Sequence, residues 1–440
     1  YQMKPMTNNL CAATAIGLIL ATVSCSDSSD GGNAIIIPGA PAVEVKIGSQ
    51  MPLWQNGTFE IHSISTGRGE SNFYIFPDGT SMLIDAAGSL VTEEICTKKG
   101  VGTVTPARPG WHISSADIIA NYIKHFNPRG ENVDYYLNSH THEDHMGSWP
   151  EKYEEYADFP KHTEGNFYMN GIAKLGTLLN FTKIIDRGYT LPINMGTDDR
   201  IKDYQRFLKW SMDTKGLIYE VAKPGHDDQI VMRYNPSAYP DFKIRILCAS
   251  GYAWTGNGYD TKRTIPTSKT EISKASPDEN IFSVALMMDF GKFNLFTAGD
   301  LQWEATSSAP WLNADEGIIP VVNKVEVMKA SHHGSTNANS EELVNKLCPQ
   351  TVWINPWRSE QPGIPCMRRF VAANPDVSFF TTGIVESSKA PLAEVENNFK
   401  SWSGHIVIRV FPDGKYYVYV LDDSDESYIV KSIHGPYISE

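Results

Sequence analysis

The stretch Val133-Asp134-Tyr135-Tyr136-Leu137-Asn138-Ser139-His140-Thr141-His142-Glu143-Asp144-His145 decides how the rest of the chain is read. Its first five residues have the composition of a buried strand. Its last six put three of the chain's 12 histidines beside an aspartate. Packing gives no reason for such a cluster at a strand end. Neutral imidazole and ionised carboxylate are the nitrogen and oxygen donors that zinc and manganese take. A metal site is therefore predicted at His140, His142, Asp144 and His145.

Two more strands end in the same way. Phe293-Asn294-Leu295-Phe296-Thr297 runs through Ala298-Gly299 to Asp300, and Val325-Glu326-Val327-Met328 leads through Lys329-Ala330-Ser331 to His332-His333-Gly334-Ser335. Alone, a strand-terminal Asp is usually a turn residue and a His pair usually lies on the surface. With the first cluster they form three ligand groups of matched design.

Residues 59–64 alternate as a strand, and 72–76 and 81–85 flank a Pro77-Asp78-Gly79 turn as a hairpin. Residues 115–126 carry Ile118, Ile119, Tyr122 and Ile123 on one helical face, with Ser115 as N-cap. Helices are also predicted over 203–212 and 340–347. Strands are predicted over 216–222, 229–233, 242–247, 282–290, 351–354, 379–382, 405–410 and 416–421, while 149–200 yields little. Many strands with fewer helices and ligands at strand ends indicate a layered α/β enzyme.

Composition is that of a globular protein, 41% hydrophobic and 20% charged. Acidic residues outnumber basic ones 51 to 38, for a formal charge of -13. That balance argues against a broad grip on nucleic acid, which draws on clustered Lys and Arg. Lys4 and the apolar run 11–23 read as a secretory signal, too short to span a bilayer comfortably. Val23-Ser24-Cys25 resembles a bacterial lipoprotein signal, with Thr22 where such signals usually carry Leu. On that reading residues 1–24 are removed, Cys25 is lipidated, 25–52 form a flexible tether and 53–440 fold as one domain. The protein would then be extracytoplasmic, anchored to a bacterial membrane, the outer one first, with the domain facing the cell surface. Ordinary secretion with cleavage near Ala21 is the alternative. Cys96, Cys248, Cys348 and Cys366 form no C-x-x-C pair, so no zinc knuckle is expected. Disulfides among them stay open, and Cys248, in an apolar strand, reads as a buried thiol.

From residue 53 to residue 421 the chain resembles the metallo-β-lactamase superfamily. His140, His142, Asp144 and His145 match its H-x-H-x-D-H motif, Asp85 its strand aspartate, Asp300 its metal-bridging aspartate and His333 its last histidine. Gly299-Asp300 followed by His332-His333-Gly334-Ser335 is similar to the soluble domain of competence (ComEC-like) proteins. Asp278-Glu279-Asn280-Ile281-Phe282-Ser283 resembles that group's N-E-N-x-S stretch, and bacterial surface phosphorylcholine esterases share a similar arrangement.

The resemblance implies a four-layer αββα sandwich with two divalent metal ions, zinc or else manganese, at one edge. It implies His140 and His142 on one ion, Asp144, His145 and His333 on the other, and Asp300 bridging them. A metal-bridging hydroxide would be the nucleophile, with Asp144 orienting it. Asp85 would support the ligand loop. His332 would donate a proton to the leaving group, contact substrate, or serve structure alone. Asn280, Ser335, Trp254 and Arg358 are candidate substrate contacts. Many superfamily members carry another histidine before the bridging aspartate; His162 and His226 are the candidates here, both in loop-like contexts.

The implied activity is metal-dependent hydrolysis of a phosphodiester, as a nuclease or phosphodiesterase, with nucleic acid entering only as substrate. Esterase, lactonase or β-lactamase chemistry on the same ions is the second reading. A non-catalytic surface lipoprotein is the third, and the complete ligand motif counts against it.

Overall fold

The computed structural model describes residues 44–90, 94, 97–98, 103–110, 113–149, 159–188, 199–303 and 308–440. Cys25, the predicted signal and Cys96 lie outside them. The chain begins the first of two sheets with β1 (Phe59–Ser63), β2 (Asn72–Ile75), β3 (Ser81–Ile84), β4 (Asn132–Asn138), β5 (Asn180–Asp186) and β6 (Ile218–Val221). It then builds the second from β7 (Phe242–Ala249), β8 (Tyr252–Trp254), β9 (Thr261–Arg263), β10 (Ala285–Phe290), β11 (Phe293–Thr297), β12 (Val327–Lys329), β13 (Thr351–Ile354), β14 (Ser378–Thr381) and β15 (Phe399–Ser401). β16 (His405–Val410), β17 (Lys415–Leu421) and β18 (Val430–Ile438) return to the first sheet, where β16 pairs with β1.

Strand alternation explains the layers, because successive side chains point to opposite faces of a sheet. Met82 and Ile84 of β3 join Leu286, Leu295 and Val327 in the core between the sheets. Leu83, between them in sequence, faces outward onto Ile119, Tyr122 and Ile123. These belong to α1 (Ser115–Phe126), whose N-cap is Ser114, one residue before the predicted Ser115, its side chain accepting from the Asp117 N–H. Beyond the short α2 (Glu143–Met146), α3 (Gly171–Leu178) and α4 (Asp199–Lys215) add Leu175, Tyr204 and Phe207 to the same outer core. α5 (Lys269–Ala275) buries only Ile272. On the far side Met328, Val352 and Phe379 pack against α6 (Glu341–Leu347) and α7 (Ile364–Ala373). Helices, sheet, sheet, helices: this is the αββα sandwich.

Residues 229–233 are not a strand. Ile230 and Met232 do enter the inter-sheet core, but among the described residues no strand pairs with this stretch. The Val231 backbone is met instead by the Tyr135 hydroxyl, which donates to its carbonyl at 2.9 Å and accepts its N–H at 3.3 Å. Gly48 and Met51 already hydrogen-bond the chain at Val430 and Tyr428, so docking onto the body starts a few residues before Leu53. No described helix is long and apolar enough to cross a membrane. Cys248, Cys348 and Cys366 are free thiols, and Cys248 and Cys366 are buried.

Candidate metal centre

β3 and β4 run parallel in the first sheet, as β11, β12 and β13 do in the second. Their C-terminal ends therefore emerge at one edge of the sandwich. The two ligand loops approach closely there. A Cβ on Gly299, whose φ is +49°, would lie 2.6 Å from the Ser139 Cβ, so a glycine is required before Asp300. The Val284 N–H donates to the Ser139 carbonyl at 3.0 Å and ties the sheets together at this point.

Asp85, at the end of β3, holds the first loop. Its Oδ1 accepts from the Ser139 N–H at 2.8 Å, and its Oδ2 accepts from the Ser139 hydroxyl at 2.6 Å and from His145 Nδ1 at 2.7 Å. With Nδ1 donating, the His145 lone pair is on Nε2. His333 is set in the same way, its Nδ1 donating to the Asn355 carbonyl at 2.9 Å. Both His332 and His333 adopt left-handed backbone conformations, φ 52° and 54°, which turns one imidazole inward after the other.

Four donor atoms converge between these rings. His145 Nε2 lies 3.3 Å from His333 Nε2, 3.1 Å from Asp300 Oδ2 and 3.7 Å from Asp144 Oδ2. His333 Nε2 lies 2.9 Å from Asp144 Oδ2 and 3.2 Å from Asp300 Oδ2. Donors about 2.0–2.1 Å from one zinc in tetrahedral array are about 3.3–3.4 Å apart, so the spacing fits one such ion. Two imidazole lone pairs facing each other and two buried carboxylates call for a cation. Without one a proton takes the place: burial pushes His333 down, but Asp300 and Asp144 raise it to about 9. The same carboxylates outweigh burial to raise His145. Glu70 also belongs to the buried cluster with His145, Asp300 and His333.

His140 and His142 lie alongside. The His140 and His145 ring centroids are 4.1 Å apart, and those of His140 and His142 are 4.8 Å apart. His140 Nδ1 is 3.0 Å from the Ser139 hydroxyl, while its buried Nε2 has no hydrogen-bond partner. Burial and the neighbouring His145 hold this ring well below the usual histidine range, in the neutral form a metal ligand needs. His142 Nε2 is partly exposed, 3.8 Å from Asp278 Oδ1. His162 and His226 do not join them. His162 stacks on Phe167 and accepts from the Gly165 N–H, and His226 stacks on Tyr259 and pairs with Asp228.

Other predicted contacts divide. Asn280 Nδ2 donates to the Gln302 side chain at 3.0 Å and lies 3.3 Å from His332 Nε2, which is 4.0 Å from Asp300 Oδ2. Burial pushes His332 to about 4 despite Asp300, so the ring is neutral at pH 7. The Ser335 N–H closes the turn onto the His332 carbonyl. Arg358 is exposed on the loop after β13. Trp254 is not at the ligand edge: it lines a hollow beside Arg245, Met287 and Lys324, with its indole N–H on the Gly258 carbonyl. A larger hollow of about 490 Å³, lined by Thr105, Arg108, Thr382, Lys389 and Trp402, contains none of the ligands.

Sequence reasoning assigned no role to a brace under the ligand loop. Glu279 accepts from the Thr141 N–H and hydroxyl at 3.1 and 2.8 Å, and its other oxygen accepts from Arg187 at 2.7 Å. Both partners are buried, which an Arg after β5 and a Glu in a polar turn do not advertise. Glu70 and Lys329 were missed likewise.

No protein-family model and no curated protein sequence matches the chain. Solved structures do. A metal-dependent hydrolase described as putative, from Parabacteroides distasonis, is 12% identical, covering 73% of this chain and 98% of its own, with a TM-score of 0.28. Zinc-bound PqqB from Methylobacterium extorquens is 10% identical over 77% of this chain and 86% of its own, TM-score 0.31. The short form of human tRNase Z is 8% identical over 74% and 93%, TM-score 0.29. At such scores they carry no argument about this chain; its fold rests on its own sheets and ligand-bearing strand ends.

Proposed function

We propose that the chain is a metal-dependent hydrolase of the metallo-β-lactamase type, acting on a phosphodiester. The convergence of His145 Nε2, His333 Nε2, Asp144 Oδ2 and Asp300 Oδ2 carries the reading. Bound divalent ions would supply Lewis-acid activation of a water and neutralise charge on the substrate. His145, His333, Asp144 and Asp300 would hold one ion, with His140 and His142 beside them. Asp85 and the Asn355 carbonyl keep both buried rings in the tautomer that presents Nε2. Neutral His332, whose side chain is partly exposed beside the buried Asn280, is the group best placed to meet a substrate ester. On the sequence alone we also place the protein outside the cytoplasm, anchored through lipid on Cys25; incorporation of a palmitate analogue that survives Cys25→Ala would refute the anchor.

The test of function is metal content together with hydrolysis of bis(p-nitrophenyl) phosphate, DNA and a chromogenic lactam, for wild type and Asp300→Asn. Metal-bound wild type that cleaves a diester, and a variant at least about a hundredfold slower, is the expected result. Lactam turnover without diester turnover would overturn the substrate class, and metal-free, inert protein would overturn the enzyme.

A further inference from the structure

Two buried charges next to the centre have no part in the scheme above. Lys329 ends β12 inside the protein, fully buried. Its ammonium donates to the Gly299 carbonyl, pairs with the Glu70 carboxylate and lies 3.6 Å from Asp300 Oδ1. Glu70 is fixed in turn: its Oε1 accepts from Asn72 Nδ2 at 3.0 Å, and its backbone N–H donates to the Asp144 carbonyl at 2.8 Å. The segment has no slack, because a Cβ on Gly69 would lie 2.0 Å from the Asp144 carbonyl oxygen.

The two oxygens of Asp300 are consequently unequal. Oδ2 faces the imidazole nitrogens of His145 and His333 at 3.1 and 3.2 Å. Oδ1 faces an ammonium that Glu70 holds in place. An ion beside His140 and His142 would stand near this same carboxylate, whose charge acts on His140, and among the described residues neither His162 nor His226 comes to complete its ligand set. An ammonium fixed 3.6 Å from Asp300 Oδ1 competes with a second cation for that oxygen, and in a buried setting the competition is weakly screened.

We propose that Lys329, anchored by Glu70, is a positioning residue that commits one oxygen of Asp300, so that the centre fills in order. One ion binds tightly at Asp144, His145, Asp300 and His333; a second binds more weakly beside His140 and His142. The inference rests on the metal-dependent reading above.

Titration of metal-free full-length protein with Co²⁺, followed by visible absorption against a competing chelator, tests it without any assay of turnover. Wild type should bind in two steps, the second weaker by about tenfold or more. Lys329→Met, close in shape but uncharged, should tighten the second step more than the first and narrow the gap. Glu70→Gln keeps the ammonium, frees it toward Asp300 and should widen the gap. These opposite signs are the signature, since a purely structural role would weaken both steps together in both variants. If Lys329→Met does not fold, Lys329→Gln takes its place, since Glu70→Gln alone also removes a carboxylate of the buried cluster. Two equivalents bound with equal affinity by wild type, or a gap unmoved in the folded variants, would overturn the proposal. No Co²⁺ binding at all would overturn the metal-dependent reading instead.

Discussion

At Asp85 one carboxylate accepts three hydrogen bonds, two from Ser139 and one from His145, and so sets both the path of the ligand loop and the tautomer of a ligand. Asparagine keeps the shape but turns one acceptor into a donor. Asp85→Asn should weaken metal binding by about 10–100-fold in a chelator competition, and unchanged affinity would contradict the supporting role. His333 makes a second prediction. In metal-free protein burial lowers its pKa, but Asp300 and Asp144 carry it to about 9, above its ordinary 6.5. A raised histidine contributes stability that is complete below about 6.5 and lost as pH rises toward 9. The melting temperature of chelator-stripped protein should therefore fall relative to metal-loaded protein between pH 6.5 and 9; a difference that shrinks over this range would refute it. The buried cluster was legible at this scale because histidines at strand ends have few other uses. Lys329 was not, since nothing in Val327-Met328-Lys329-Ala330 marks the lysine as buried rather than edge-facing.

Elements were legible where one face is apolar and where turn chemistry bounds them. α1 shows its face as Ile118, Ile119, Tyr122 and Ile123, and the predicted limits hold except for the cap. β5 escaped because Thr182 and Lys183 interrupt Asn180–Asp186 with polar positions that stay half-buried. α7 escaped because Pro365 reads as a breaker, whereas a proline in the first turn of a helix costs no hydrogen bond. The strand predicted from Phe282 begins only at Ala285, because Glu279–Phe282 form a 3-10 turn whose carboxylate supports Thr141, between His140 and His142. Breaking a buried ion pair strands the remaining charge. Arg187→Met should thus cost about 3–5 kcal/mol in urea denaturation, and a loss below about 1 kcal/mol would show that Glu279 needs no such partner.

Across the whole molecule, the chain leaves the first sheet after β6, builds the second, and comes back with β16 to β18. The ligands divide along that path: Asp144 and His145 follow β4 of the first sheet, Asp300 and His333 follow β11 and β12 of the second. The centre exists only when the two sheets are docked, so an ion bound there stabilises the entire sandwich by mass action. The final strand, β18, was hidden by Gly435-Pro436, a pair that reads as a turn; on the outermost strand a proline forfeits no ladder bond. On this reading four side chains from two sheets share one ion. An anomalous-difference map from crystals grown with zinc, recorded above and below the zinc edge, tests it directly. A peak is expected about 2.0–2.2 Å from His145 Nε2, His333 Nε2 and the facing oxygens of Asp144 and Asp300. Zinc sites found only elsewhere on the protein, with these four side chains bonded to one another, would contradict it.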